Sequence, residues 1–141
     1  MFVQDRDQAR RVFLEVRQKY NNNQPLEALE RIILDVILSH PEYHSLLEDD
    51  EDALARDFNP DAGLVNPFLH MGMHIAIKEQ IGADRPAGIR SACDSLSKHC
   101  EDVHDMEHKV MECLGESLWL ASRNNTMPDE QQYLENIRAL K

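Results

Sequence analysis

Six of the seven histidines in this 141-residue chain fall into three pairs four residues apart: His40 and His44, His70 and His74, His104 and His108. Random placement of that many histidines would give about 0.3 such pairs. On a helix, residues i and i+4 are neighbours with Cβ atoms about 5–6 Å apart, so two imidazoles can reach one ion. Neutral imidazole is the ligand form, and a site of this kind weakens in acid. A single pair at this spacing is more often a hydrogen-bonded surface or core feature than a ligand set. Three pairs in one small chain move the balance towards metal.

Two carboxylates add to the case. Glu107 falls on a helical wheel among Val103, Met111, Leu114 and Leu118, and Glu30 flanks Leu26, Ile33 and Ile37. A carboxylate aimed at a core costs several kcal/mol unless it is paired or binds metal. Helices carrying inward Glu and His are how four-helix di-metal proteins build their sites. The expected ligand set is therefore His70, His74, His104, His108 and Glu107, with His44 and Glu30 completing or bridging it. Glu112 leans outward on the same wheel. His40 precedes Pro41, which starts a new helix, so His40 reads as a capping residue only loosely beside His44. His99 reads as solvated.

Such a mixed imidazole and carboxylate set suits zinc, iron, manganese or nickel, and the spacing does not choose among these transition metals. With open coordination positions it would serve metal-assisted hydrolysis or dioxygen chemistry. Hemerythrin-like and ferritin-like proteins are an analogy at the level of fold alone. The run His104-Asp105-Met106-Glu107-His108 also fits H-x-x-E-H, in which two histidines hold zinc and the glutamate is a general base. Three fixed positions in five are weak support for a peptidase, and the chain is far smaller than those enzymes. There is no Gly-rich phosphate loop, so no nucleotide cofactor is expected, and no G-x-S-x-G elbow. Met71, Met73, Met106 and Met111 at helical spacing, and Trp119, read as core.

The elements that position these residues are helical throughout, since apolar residues recur with helical period and strand alternation is nearly absent. Pro25, Pro41, Pro67, Pro86 and Pro128 each stand just ahead of a helix-like stretch. The first helix is expected from Asp5 to Tyr20, the second from Pro25 to Ser39 with Leu29 on its inner face. A short turn runs from Pro41 to Glu48, and a polar connection passes through Asn59 and Pro60. The third helix, Pro67 to Ile81, is apolar on almost every side and reads as buried all round. Asn66 is its expected cap and Gly82 its left-handed end, while Gly72 would admit a close neighbour. A fourth segment, Pro86 to Ala121, is expected to bend near Cys100–Asp102 with Asp102 capping a new start. The last helix runs from Pro128 to Leu140. The expectation is one all-α domain over residues 1–141, a helical bundle of five to six helices.

Composition narrows the function further. A net charge of −11 repels phosphate backbones and anionic headgroups, so neither nucleic acid nor a membrane surface is an expected partner. Much of that charge sits in the run Glu48–Asp52, which reads as a solvated loop or frayed helix end. Cys93, Cys100 and Cys113 are an odd number without paired spacing, and read as core or near-core thiols in a reducing compartment. No leader pattern opens the chain and no apolar run reaches spanning length, so a cytoplasmic protein is expected. The rival to a metal protein is a non-catalytic interaction protein. In it the histidines and carboxylates form an internal hydrogen-bond network and an acidic surface docks a basic protein partner.

Several runs carry a resemblance to a known family. Leu38-Ser39-His40-Pro41-Glu42-Tyr43-His44, Asn66-Pro67-Phe68-Leu69-His70-Met71-Gly72-Met73-His74, Asp84-Arg85-Pro86-Ala87-Gly88-Ile89-Arg90 and the stretch from His108 to Leu114 are such runs. With the opening Met1-Phe2 and Asp5-Arg6 and the closing Tyr133-Leu134-Glu135, the chain resembles the bacterial family catalogued as domain of unknown function 1841 over essentially its whole length. The resemblance implies a small proteobacterial cytosolic protein. It implies no activity and carries over no functional residue, so the metal reading rests on spacing and expected burial.

Overall fold

The computed structural model of the chain describes residues 6–56, 58 and 66–140. Among them every regular element is helical: α1 (Arg6–Asn21), α2 (Ala28–Leu38), a 3-10 turn (Pro41–Tyr43), α3 (His44–Glu48), α4 (Asp50–Ala55), α5 (Pro67–Ala83), α6 (Ile89–Ser97), α7 (Val103–Arg123) and α8 (Glu130–Ala139). The helical class stands, and the count of α-helices exceeds the five to six expected. The acidic run is one reason. Asp49 accepts a hydrogen bond from the Asp52 N–H at 3.0 Å, and Asp50, Glu51 and Asp52 occupy the first turn of α4. The positive end of a helix dipole favours anions there, so the charge run starts a helix instead of fraying one. The expected Asp5 start of the first helix and the connection at Asn59 and Pro60 lie outside the described residues.

Residue contacts gather the chain into two compact units, residues 1–75 and 76–141, and α5 runs through the boundary. In the first unit α1 packs on α2, α3 and α4. Its core holds Phe13, Val16, Ile33, Val36, Ile37, Leu47, Ala53, Phe68, Met71 and Ile75, with Phe13 and Phe68 edge to face at 5.7 Å. Arg10 is buried, and its guanidinium donates to the carbonyls of Ala53 at 2.9 Å and Arg56 at 2.7 Å while lying 4.8 Å from the Phe68 ring. It thereby satisfies carbonyls that the end of α4 leaves over, and gains a cation–π contact.

In the second unit α6, α7 and α8 pack mutually around Ile89, Cys93, Leu96, Val110, Leu114, Leu134 and Ile137. Tyr133 is buried there and donates to Gln80 Oε1 at 2.8 Å, and burial raises its phenol above the ordinary range. The long segment divides as expected: Asp102 accepts from the Asp105 N–H at 2.8 Å and starts α7. Between α5 and α6 two residues are left-handed, Asp84 at φ 51° and Gly88 at φ 103°, and Gly82 lies inside α5. Pro86 stands ahead of α6 as expected, its carbonyl accepting from the Ile89 N–H at 3.0 Å, and the Asp84 carboxylate accepts from the N–H groups of Gly88 at 3.2 Å and Arg90 at 3.0 Å.

Four expectations about burial and packing are corrected. Trp119 is 57% exposed under the Arg123 guanidinium, which stacks on it at 5.2 Å, so it belongs to the surface. Helix α5 is not buried all round, since Leu69 is 63% exposed; Leu29 of α2 also faces outward. A Cβ added to Gly72 meets no heavy atom within 4 Å, so that glycine admits no close neighbour among the described residues.

The cysteines divide by environment. Burial, reinforced by Asp94 and Glu107, pushes the Cys93 thiol up to about 11, and burial raises Cys113 as well. Cys100 is half-buried, with its thiol 3.3 Å from the Leu96 carbonyl. Thiolate is the reactive form. An Ellman titration of native protein at pH 8 should therefore register Cys100 quickly and the other two only after urea is added. Three fast equivalents in the native protein would contradict the buried placement.

Candidate metal centre

His40 is positioned by the way α2 ends. Proline disfavours helical backbone in the residue before it, and His40 sits at φ −126°, ψ 67°, outside the helix. Its own N–H bonds the Ile37 carbonyl at 3.1 Å, and the Val36 carbonyl receives the His40 ring instead, with Nδ1 at 2.7 Å. The ring therefore carries its proton on Nδ1, which makes Nε2 the lone-pair nitrogen, the usual outer-shell device for fixing a ligand tautomer. His40 is 3% exposed and stacks on Tyr43 at 5.3 Å with 7° between the planes. His44, at the start of α3, donates from Nε2 to the Ile37 carbonyl at 3.0 Å.

Helix α5 carries the second pair. Asn66 caps it, accepting from the N–H groups of Phe68 at 3.0 Å and Leu69 at 3.2 Å. His74 is 1% exposed and His70 half-buried, one turn apart with ring centroids 4.9 Å from each other. The His40 ring lies 4.9 Å from that of His74 and 5.1 Å from that of His70.

Helix α7 carries the third. His104 and His108 are half-buried, with ring centroids 4.3 Å apart. Glu107, between them in sequence, is 2% exposed, and its Oε2 lies 2.8 Å from Lys78 Nζ. A buried carboxylate needs such a cation to offset its lost hydration.

One ring nitrogen from each of His40, His74, His104 and His108 lies within 4.8 Å of the other three. Zinc–imidazole bonds are about 2.0–2.1 Å, and a group of this kind could hold a metal ion. Among the described residues the donor set is four imidazoles, without thiolate or carboxylate.

Of the residues expected as ligands, His74, His104 and His108 are in this group. His70 stands beside it, and Glu107 is bound to Lys78. His44 is engaged with the end of α2. Glu30 is at the opposite end of that helix. Its Oε1 accepts from the Glu27 N–H at 3.0 Å in a capping box and its Oε2 pairs with Lys19 at 2.7 Å. The Glu27 N–H, then Lys19, hold its carboxyl below the usual range. At about 1.5 Å per residue, the ten positions to His40 correspond to about 15 Å of helix. The sequence reading set His40 aside. The signal for it was the core stripe Ile33, Val36 and Ile37, which continues at helical spacing to position 40.

A family model described as Domain of unknown function (DUF1841) matches residues 5–139, nearly the whole chain. No curated protein and no solved structure matches significantly. Among the described residues no helix is long and apolar enough to cross a membrane.

Proposed function

This chain belongs to the family described as Domain of unknown function (DUF1841), and we propose that it is a metal-binding protein whose ligands are His40, His74, His104 and His108. The single observation that carries this reading is the mutual approach of their four ring nitrogens to within 4.8 Å. Four imidazole nitrogens this close together offer one shared donor set, and a divalent ion would engage all four. An all-nitrogen donor set favours borderline ions such as zinc, nickel or copper over the harder manganese that carboxylates would suit.

A hydrogen-bonded network without metal is the second reading. The bonds from His40 to Val36, His44 to Ile37 and Lys78 to Glu107 favour it to that extent, since each satisfies a buried or half-buried group from within the protein. A thermal-shift titration separates the two. With free zinc at 100 times Kd, binding contributes about 2.7 kcal/mol, which raises Tm by about 8 °C for a domain of this size. Protons compete with metal for imidazole, so the rise should shrink as the solution is made acid. A Tm that ignores zinc, nickel and copper at pH 7.5 would support the network instead.

A further inference from the structure

We propose that the cleft between the end of α1 and the turn joining α3 to α4 binds a small zwitterion, of the class of a free α-amino acid with a polar, uncharged side chain. The cleft is formed within the first compact unit and is independent of the four-histidine reading. Leu14, Arg17, Gln18 and Asn21 recur at helical spacing, so one face of α1 makes its wall. Leu47, Glu48 and Asp50 stand across from them, and the cleft measures about 340 Å³, at the low end for small-molecule sites. Arg17 is the residue that points to a ligand. Its side chain is 15% exposed, and its Nε–H is closed to water yet has no acceptor among the described residues. Its Nη2 lies 3.5 Å from Glu48 Oε1, well beyond the about 2.7–2.9 Å of a charge-assisted hydrogen bond.

A guanidinium covered to this extent ordinarily has its donors filled, and a donor left over calls for an anion or a water. A carboxylate fits best, because the fork of N–H groups takes both of its oxygens. A simple anion does not fit, since Glu48 and Asp50 would repel it. An ammonium on the same ligand turns both acids into partners. Glu48 is 68% exposed, so its side chain is free to leave Arg17 for the ammonium as the carboxylate arrives. The exposed amides of Gln18 and Asn21 donate and accept, which suits a polar side chain without charge, and the buried Leu14 and Leu47 form the floor.

The test is calorimetric titration of the full chain with glutamine, asparagine and serine, in EDTA so that chelation at the histidines does not contribute. At least one of the three should bind with a Kd of about 1 mM or tighter. Its amide, which lacks the carboxylate, and its N-acetyl derivative, which lacks the ammonium, should each bind about tenfold more weakly or worse. R17Q and E48Q should weaken the parent amino acid by a similar factor. E48Q alters an exposed side chain, so it should keep the wild-type Tm and report binding apart from folding. In proton–nitrogen NMR spectra the largest shifts on binding should fall within residues 14–22 and 47–50. No binding of any of the three at about 10 mM would overturn the proposal and leave water as the partner of Arg17. Wild-type affinity in E48Q, or shifts gathered elsewhere in the chain, would overturn it as well.

Discussion

His74→Ala should abolish tight metal binding while the helices remain. His74 offers one of four converging nitrogens and is the most buried of the histidines in the group. Losing an outer-shell partner of a metal ligand typically weakens affinity 10–100-fold, so losing a ligand should weaken it by at least about 100-fold. That corresponds to about 2.7 kcal/mol or more, enough to remove the zinc-dependent rise in Tm at concentrations that saturate wild type. The substitution also leaves a hole in the core beside Met71 and Ile75, so a loss of apo stability of about 1–3 kcal/mol accompanies it. His108→Gln supplies the control. That ring is half-buried, so its removal disturbs packing less and should still weaken binding by a similar factor. Calorimetric titration of both variants showing wild-type affinity would remove these residues from the site.

Lys78→Met should destabilise the protein by about 3 kcal/mol at neutral pH. Removing one partner of a buried ion pair typically costs about 3–5 kcal/mol; the lower end applies because Lys78 is 28% exposed and partly screened. Urea unfolding measures this directly. The double variant Lys78→Met with Glu107→Leu should regain most of the loss, because it removes both charges and fills their space with apolar atoms. It should also keep the metal stoichiometry of wild type, since Glu107 is outside the four-nitrogen group. A double variant that folds but has lost its metal would make Glu107 a ligand, as its position between His104 and His108 suggested.

The last prediction shows where sequence and structure part. Helical spacing put Glu107 inward, and it is inward; the pattern could not show whether a metal or a lysine from another helix meets it. Lys78 is 29 positions away, and such long-range pairing is set by how helices pack, which spacing within one helix does not encode. Glu30 illustrates a local competition. It sits on an apolar stripe, yet it is also three residues after Glu27, where a capping box satisfies it near the helix start. His40 was read as a capping residue before Pro41, and it caps the turn that starts there; what the pattern did not show is that the break turns the ring back onto the last turn of α2 and into the core. What could be read well was punctuation with a clear chemical cause: Asn66 and Asp102 cap the helices expected of them. The acidic run misled because its charges looked like a solvated loop, when their position next to Asp49 makes them the favoured first turn of α4.

The central claim is that four imidazoles hold an ion, and elemental analysis by plasma mass spectrometry tests it most directly. Untagged protein purified without chelators, incubated with zinc and nickel and then gel-filtered, should retain about one equivalent of a single ion in wild type and far less in His74→Ala. Wild-type protein that retains none after such incubation would contradict the account and leave the histidines as a hydrogen-bonded core.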